Sequence, residues 1–361
     1  MNRKLASLLC ALLVTLTGWA AAAPEKETVQ KTAKIAETQT SRQQPAQIHL
    51  VWDWQAPGEK ASTVLKKAKL PAVNVLSPSW FSIATSYGEI IRQDVSKDYV
   101  EKAHAKGYKV WPLIKNGEFD PKLTRNLLDN PEGREHVCLD LLYLCREYHL
   151  DGINLDFENI HPDDRDKLTD FVGEITRTLH PLGLKVSIDV TIPSDNGYWS
   201  KCYDRKGLAQ NVDYVMLMAY DEHPRLSPVA GSVASLPWVE QGLKKTLQEV
   251  PKEKLLLGMP LYMRLWQEQG GKVSARTLSM PQAEKLLQDK RPEQKWDSNL
   301  GQYYFAFKEG DALYRVWQEE ARSLALKMAL ASRYDLAGTC YWRQGLETPD
   351  VWETLEALGV K

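Results

Sequence analysis

The chain has 361 residues, 43% hydrophobic and 26% charged, the balance of a soluble globular protein rather than a disordered or membrane-embedded one. Its 46 Lys and Arg nearly cancel 47 Asp and Glu, and a formal net charge of -1 offers no field to gather nucleic acid or an anionic membrane surface. A neutral polymer suits such a surface better.

Arg3 and Lys4 precede an apolar run from Leu5 to Leu16, and small residues follow up to Ala23. The run is too short to span a bilayer comfortably, so residues 1–23 predict a secretory signal peptide and no stable membrane insertion. The expected location is exported: periplasmic, cell-wall-associated or extracellular. Residues 24–47 are polar, with almost no large apolar side chain, and predict a flexible spacer. From residue 48 onward, strand-like runs alternate with helical patterns. The strands are expected at Ile48–Trp54, Ala72–Leu76, Lys109–Ile114, Gly152–Phe157, Lys185–Ile192, Tyr214–Ala219, Leu255–Pro260 and Gly338–Trp342. Helices are expected between them, among others at Lys97–Lys106, Arg134–His149, Arg165–His180 and Leu236–Gln248. Eight strands separated by helices predict an α/β fold, a (β/α)₈ TIM barrel over residues 48–361. One connection breaks the rhythm. Before a helix at Trp317–Arg333 come Gly270-Gly271, a helical stretch at Pro281–Asp289 and a strand-like Tyr303–Phe307. They predict a small α+β insertion between strands 7 and 8, at about 266–316, that walls a cleft.

The fourth strand carries the chemistry. In Asp151-Gly152-Ile153-Asn154-Leu155-Asp156-Phe157-Glu158, alternation sends Asn154, Asp156 and Glu158 to one face and Ile153, Leu155 and Phe157 to the other. Polar groups inside a barrel are costly, and catalysis on such barrels sits at the C-terminal strand ends, where Glu158 lies. Two carboxyls within about 7 Å resist each other's ionisation, so one stays protonated as a general acid while the other is charged.

This stretch resembles the D-x-x-D-x-D-x-E signature of glycoside hydrolase family 18, through Asp151, Asn154, Asp156 and Glu158. Asn154 departs from the usual acid and removes one charge behind Asp156, which bears on the working pH. Further matches follow in order. Met218-Ala219-Tyr220-Asp221 resembles the family's M-x-Y-D. Pro260-Leu261-Tyr262-Met263-Arg264 resembles P-x-Y-G-R, with Met263 for glycine, and Gly338–Trp342 resembles the last strand. The resemblance implies a retaining glycosidase in which the substrate's own 2-acetamido group is the nucleophile. Glu158 is then the acid and later the base. Asp156 orients the acetamide and faces the positive intermediate, Tyr220 hydrogen-bonds the acetamide oxygen, and Asp221 supports the site. Asn154, Met218, Tyr262, Arg264, Trp342, Trp54 and Trp80 are the expected substrate-binding residues, and neither cofactor nor metal is required.

Trp52, Trp54, Trp80, Trp111, Trp199, Trp266 and Trp342 fall at or just beyond expected strand ends, as platforms for sugar rings or as barrel packing. His161 and His223 read as loop residues. Cys138 and Cys145 lie roughly 10 Å apart along a helix, too far for a disulfide; a bridge involving Cys202 stays open. The phrases around Asn154–Asn159, Ala219–His223 and Tyr341–Glu347 are most similar to the bacterial subgroup acting on peptidoglycan, which makes an N-acetylglucosamine-containing polysaccharide the expected partner of a monomeric enzyme. Members of that subgroup often carry wall-binding LysM repeats, and this sequence shows none. Chitin or its oligosaccharides are the alternative substrate, and a non-catalytic sugar-binding protein is the alternative class, disfavoured by the presence of Glu158.

Overall fold

The computed structural model describes residues 47–54, 65, 69–71 and 73–358. The expected signal peptide, and all but the last residue of the expected spacer, lie outside the described residues. No helix among the described residues is long and apolar enough to cross a membrane.

Eight parallel strand positions close on themselves. They are β1 (Ile48–Asp53), β2 (Val75–Ile83), the pair β4 (Lys109–Val110) and β5 (Leu113–Lys115), β6 (Gly152–Asp156), β7 (Lys185–Thr191), β8 (Tyr214–Met218), β9 (Leu255–Pro260) and β15 (Gly338–Trp342). β1 pairs with both β15 and β2, which completes the barrel. A short β3 (Ile90–Arg92) runs antiparallel to the end of β2. The third position, expected as one strand, is split between β4 and β5. Pro112 lacks the N–H that a continuous ladder needs and sits at the break. Gly338 has a steric reason: a Cβ there would lie 1.8 Å from the Ile48 carbonyl oxygen of β1.

Helices cover the barrel: α1 (Lys97–Ala105), α2 (Pro121–Leu128), α3 (Pro131–Tyr148), α4 (Arg165–Leu179), α5 (Arg205–Asn211), α6 (Leu236–Thr246), α8 (Ala321–Arg333) and α9 (Asp350–Ala357). Their starts are written in the sequence. Asp120 accepts hydrogen bonds from the Lys122 and Leu123 N–H groups ahead of Pro121, and Glu320 with Ser323 forms a reciprocal cap on α8. Ile153, Leu155 and Phe157 pack outward in the large core between strands and helices. A smaller cluster plugs the interior: Leu50, Trp52, Val75, Trp111, Leu113, Met216, Leu256 and Cys340. The polar residues of the fourth barrel strand therefore rest on an apolar floor.

Between β9 and β15 stands a separate antiparallel sheet of β10 (Tyr262–Gln269), β11 (Lys272–Ser279), β12 (Gln294–Asp297), β13 (Gln302–Glu309) and β14 (Ala312–Gln318), with α7 (Met280–Lys290) between β11 and β12. It starts earlier than the expected 266, because only Leu261 separates β9 from β10 and Tyr262 already pairs with Ser279. The apolar run through this junction hides the change of sheet. The helix expected from Trp317 begins at Ala321, Trp317 itself belonging to β14.

Candidate active site

A cleft of about 400 Å³ opens at the C-terminal ends of the barrel strands. Asp156, Glu158, Met218, Tyr220, Asp221, Tyr262, Arg264 and Trp342 line it. They come from β6, β8, the insertion and β15, so the fold gathers side chains up to 186 positions apart in sequence. A second compartment of about 230 Å³ adjoins it and shares Asp156, Glu158 and Trp342; its wall also includes Trp54, Trp80, Phe81, Lys115 and Phe119 beside the polar Ser79, Ser82 and Gln93.

Glu158 lies two residues beyond β6, and the chain around it is clamped. Its N–H donates to Asn116 Oδ1 at 2.9 Å, and Asn116 Nδ2 donates back to its carbonyl at 2.8 Å. Tyr203 O–H donates to the Phe157 carbonyl at 2.8 Å. Neither Asn116 nor Tyr203 was expected as a site residue. Asn116 follows the Leu113–Lys115 strand directly, and a polar residue at a barrel strand's C-terminal end is a signal that could have found it.

Burial first, then the charges of Asp156 and Asp221, raise the Glu158 carboxyl well above the ordinary range, and a hydrogen bond with Asp156 adds to this. Burial also raises Asp156, to about 7, against the charge of Lys115 and that hydrogen bond. Among the described residues neither forms an ion pair, and Asp156 Oδ1 is buried without a hydrogen-bond partner. A proton-bearing acid beside a carboxyl that ionises near neutrality is a proton donor with an electrostatic partner.

Asp189, on β7, is a third buried carboxyl of the cleft, absent from the expected set. It accepts a hydrogen bond from Asn154 Nδ2 at 2.8 Å. Burial and the Asp156 charge raise it well above the carboxylate range, with Asn154 opposing. The carboxyl missing at Asn154 is thus present after all, brought in from the neighbouring strand and held toward its protonated form. Asn154 itself is fully buried beneath the cleft, which corrects its assignment as a substrate contact. Its Oδ1 accepts from Trp52 Nε1 at 2.8 Å, and its Nδ2 reaches Ser187 Oγ as well as Asp189. Every polar edge is spent inside the protein.

Asp221 adopts φ 61° and receives, on one oxygen, the Tyr262 O–H at 2.7 Å and Arg264 Nη2 at 2.8 Å. Arg264 also donates to Thr277 of β11 at 2.6 Å, so the insertion is tied to the barrel's catalytic rim. Tyr220 meets Tyr262 edge-on, with ring centroids 6.3 Å apart.

The tryptophans divide. Trp342 floors both compartments and meets Trp52 edge-on at 5.7 Å. Trp54 is 39% exposed and carries the Arg343 guanidinium 4.4 Å above its ring. Trp80 borders the second compartment but is only 4% exposed, its rings packed on Phe81 and Tyr99. Trp199 is exposed and lines neither compartment. Trp52, Trp111 and Trp266 are buried packing residues; Trp111 stacks on Tyr214, and Trp266 donates to the Gly231 carbonyl. Cys138, Cys145, Cys202 and Cys340 are buried free thiols, so the open question of a Cys202 bridge is answered against it. Among the described residues no group of three or more His, Cys, Asp or Glu is arranged to hold a metal ion.

Comparison with known proteins places this geometry. The model of glycosyl hydrolases family 18 matches residues 54–347. An uncharacterized glycosylase, YvbX, of Bacillus subtilis is 25% identical over 78% of this chain and 84% of its own. The cortical fragment-lytic enzyme of the same organism is 27% identical over 66% of this chain, which spans only 57% of that enzyme's length. The crystal structure of a chitinase from Chromobacterium violaceum superposes with a TM-score of 0.77 at 23% identity, covering 87% of this chain and 99% of that one.

Proposed function

Because this chain belongs to glycosyl hydrolases family 18, we propose that it cleaves β-1,4 bonds of an N-acetylglucosamine-containing polymer, peptidoglycan first, by a retaining mechanism in which the substrate's acetamide is the nucleophile. The observation that carries this reading is the pairing of Glu158, which holds its proton, with Asp156, which ionises near neutrality, beside the Tyr220 phenol in one cleft. Glu158 gives its proton to the glycosidic oxygen as the C–O bond breaks. The acetamide oxygen closes on the anomeric carbon, and the ring so formed carries a positive charge. Asp156 faces that charge; Tyr220 orients the acetamide. Water then opens the ring and returns a proton to Glu158. Trp342 offers the apolar face on which a pyranose rests.

Peptidoglycan is favoured over chitin by the sequence phrases shared with the wall-acting subgroup and by the relation to the cortical fragment-lytic enzyme. The pattern of residues 1–23 supports export, which N-terminal sequencing of the mature protein from the medium or periplasm tests. Mass spectrometry of digests tests the substrate. Muropeptides with a new N-acetylglucosamine reducing end are expected from purified peptidoglycan, and cleavage of chitohexaose alone would replace this reading with the chitin one. Glu158→Gln is expected to abolish release of reducing ends from either substrate, and unchanged turnover in that variant would remove the mechanism.

A further inference from the structure

The second compartment differs in chemistry from the first. Tyr220, Met218 and Asp221 line only the larger space, where the acetamide is handled, whereas Asp156 and Glu158 border both. A proton donor reaches the glycosidic oxygen at the junction of two sugars, so the sugar that leaves lies on the other side of Glu158, in the smaller space. Its wall joins aromatic and aliphatic side chains, Trp54 and Trp80 among them, to the neutral polar Ser79, Ser82 and Gln93, and Lys115 is the one cation among its described lining residues.

Lys115 ends β5, and its Cα stands opposite that of Asp156 in the ladder. It is close enough for its charge to hold Asp156 down. Among the described residues its one ion pair is with Glu118 at 2.7 Å, and the Glu118 side chain is 89% exposed. Surface pairs of this kind contribute about 0–1 kcal/mol, so Glu118 competes weakly against an anion delivered by a bound substrate. The cations bordering the larger space are otherwise engaged: Arg264 is paired with Asp221, and Arg343 lies over Trp54 while donating to the Trp54 carbonyl.

We propose that Lys115 selects a leaving sugar that bears a carboxylate, making the smaller compartment a subsite for an acidic glycan rather than for a neutral homopolymer. This deepens the peptidoglycan reading and rests on it. The carboxylate has two sources in such a polymer, the lactyl ether of the sugar itself or an acidic residue of an attached peptide, and Lys115 pairs with either in the same way.

The test measures kcat/KM for soluble glycan strands with peptides attached, for strands stripped of peptide by an amidase so that the lactyl carboxylate is free, and for neutral chito-oligosaccharides of equal length. Their ratio cancels any common effect of Lys115 on Asp156. Lys115→Met is expected to lower the acidic-to-neutral ratio about tenfold, the scale of a lost charge-assisted hydrogen bond, and Lys115→Arg to preserve it. Loss only with stripped strands assigns the lactyl group; loss only with intact strands assigns the peptide. Equal losses on acidic and neutral strands overturn the proposal and leave Lys115 as an electrostatic neighbour of Asp156 alone. Should Lys115→Met fail to fold, the wild-type enzyme decides: its acidic-to-neutral ratio must fall as salt is raised from 10 mM to 1 M, and a flat ratio overturns the proposal. Glu158→Gln, inactive on every strand, tests the hydrolytic reading separately.

Discussion

Two buried acidic clusters in this protein have opposite designs. In the one beside the insertion, Glu319 is fully buried, and each of its oxygens meets Lys327 Nζ, at 2.9 and 2.8 Å. Ser323 and Gln302 donate to it as well. In the cleft, Asp156, Glu158 and Asp189 crowd together with an amide, one another and a cation outside ion-pair range. The first cluster has its charge matched in place and joins α8 to the insertion sheet. The second keeps its charge unmatched, so that burial, unopposed by an ion pair, and then mutual repulsion raise its proton affinities and leave it ready for a partner that arrives with the substrate. Paired buried charge here is structure; unpaired buried charge is chemistry.

Each side of that contrast can be broken separately. The largest effect is expected from Glu158→Gln, with turnover down by about 10²–10⁴-fold and a melting temperature no lower than wild type, since a neutral amide relieves the crowding. Loss of both together would show that the cleft carboxyls also hold the fold. Next comes Lys327→Met, which strands Glu319 in the interior. Urea unfolding should show a loss of about 3–5 kcal/mol with turnover per folded molecule unchanged.

A smaller effect is pH-linked. Folding raises Asp156 from the ordinary 3.8 to about 7, so its stabilising contribution is complete below 3.8 and disappears as pH rises through 7. Wild-type stability should therefore fall across that window relative to Asp156→Asn, by at most about 1.4 kcal/mol per pH unit. Parallel stability curves for the two proteins would contradict the raised value. The smallest change is Tyr203→Phe, which leaves the Phe157 carbonyl without its donor. Thermal unfolding should register about 1 kcal/mol, and a larger drop in kcat than in stability would show that the clamp on Glu158 serves turnover more than folding.

The barrel order and the acid on its fourth strand were legible because alternation and strand spacing are properties of the chain itself. Asp189 was not, for a reason of register. Asn154 lies opposite Ser187, and the residue two further along β7 on the same face reaches the motif only once the two strands are aligned. Within Lys185–Thr191 it is one of four polar residues that alternate with Val186, Ile188 and Val190, and nothing in that segment alone ties it to the Asn154 motif. The same missing alignment left open whether Trp52 and Trp111 meet sugar or pack the barrel, since position near a strand end does not say whether a ring points above the barrel floor or into it. Tyr262 and Arg264 were found through motif resemblance, but their shared bond to Asp221 exists only because β10 starts one residue after β9 ends.

That single-residue junction at Leu261 has an evolutionary and engineering consequence. The antiparallel sheet is wired into the rim by Tyr262 and Arg264 before its second strand begins, so it cannot be exchanged between homologous scaffolds as a cassette cut at its visible edges. A chimera that respects the wiring must splice after Arg264, carrying the host's Tyr262 and Arg264 with the host's Asp221, and import only the outer strands that vary the wall.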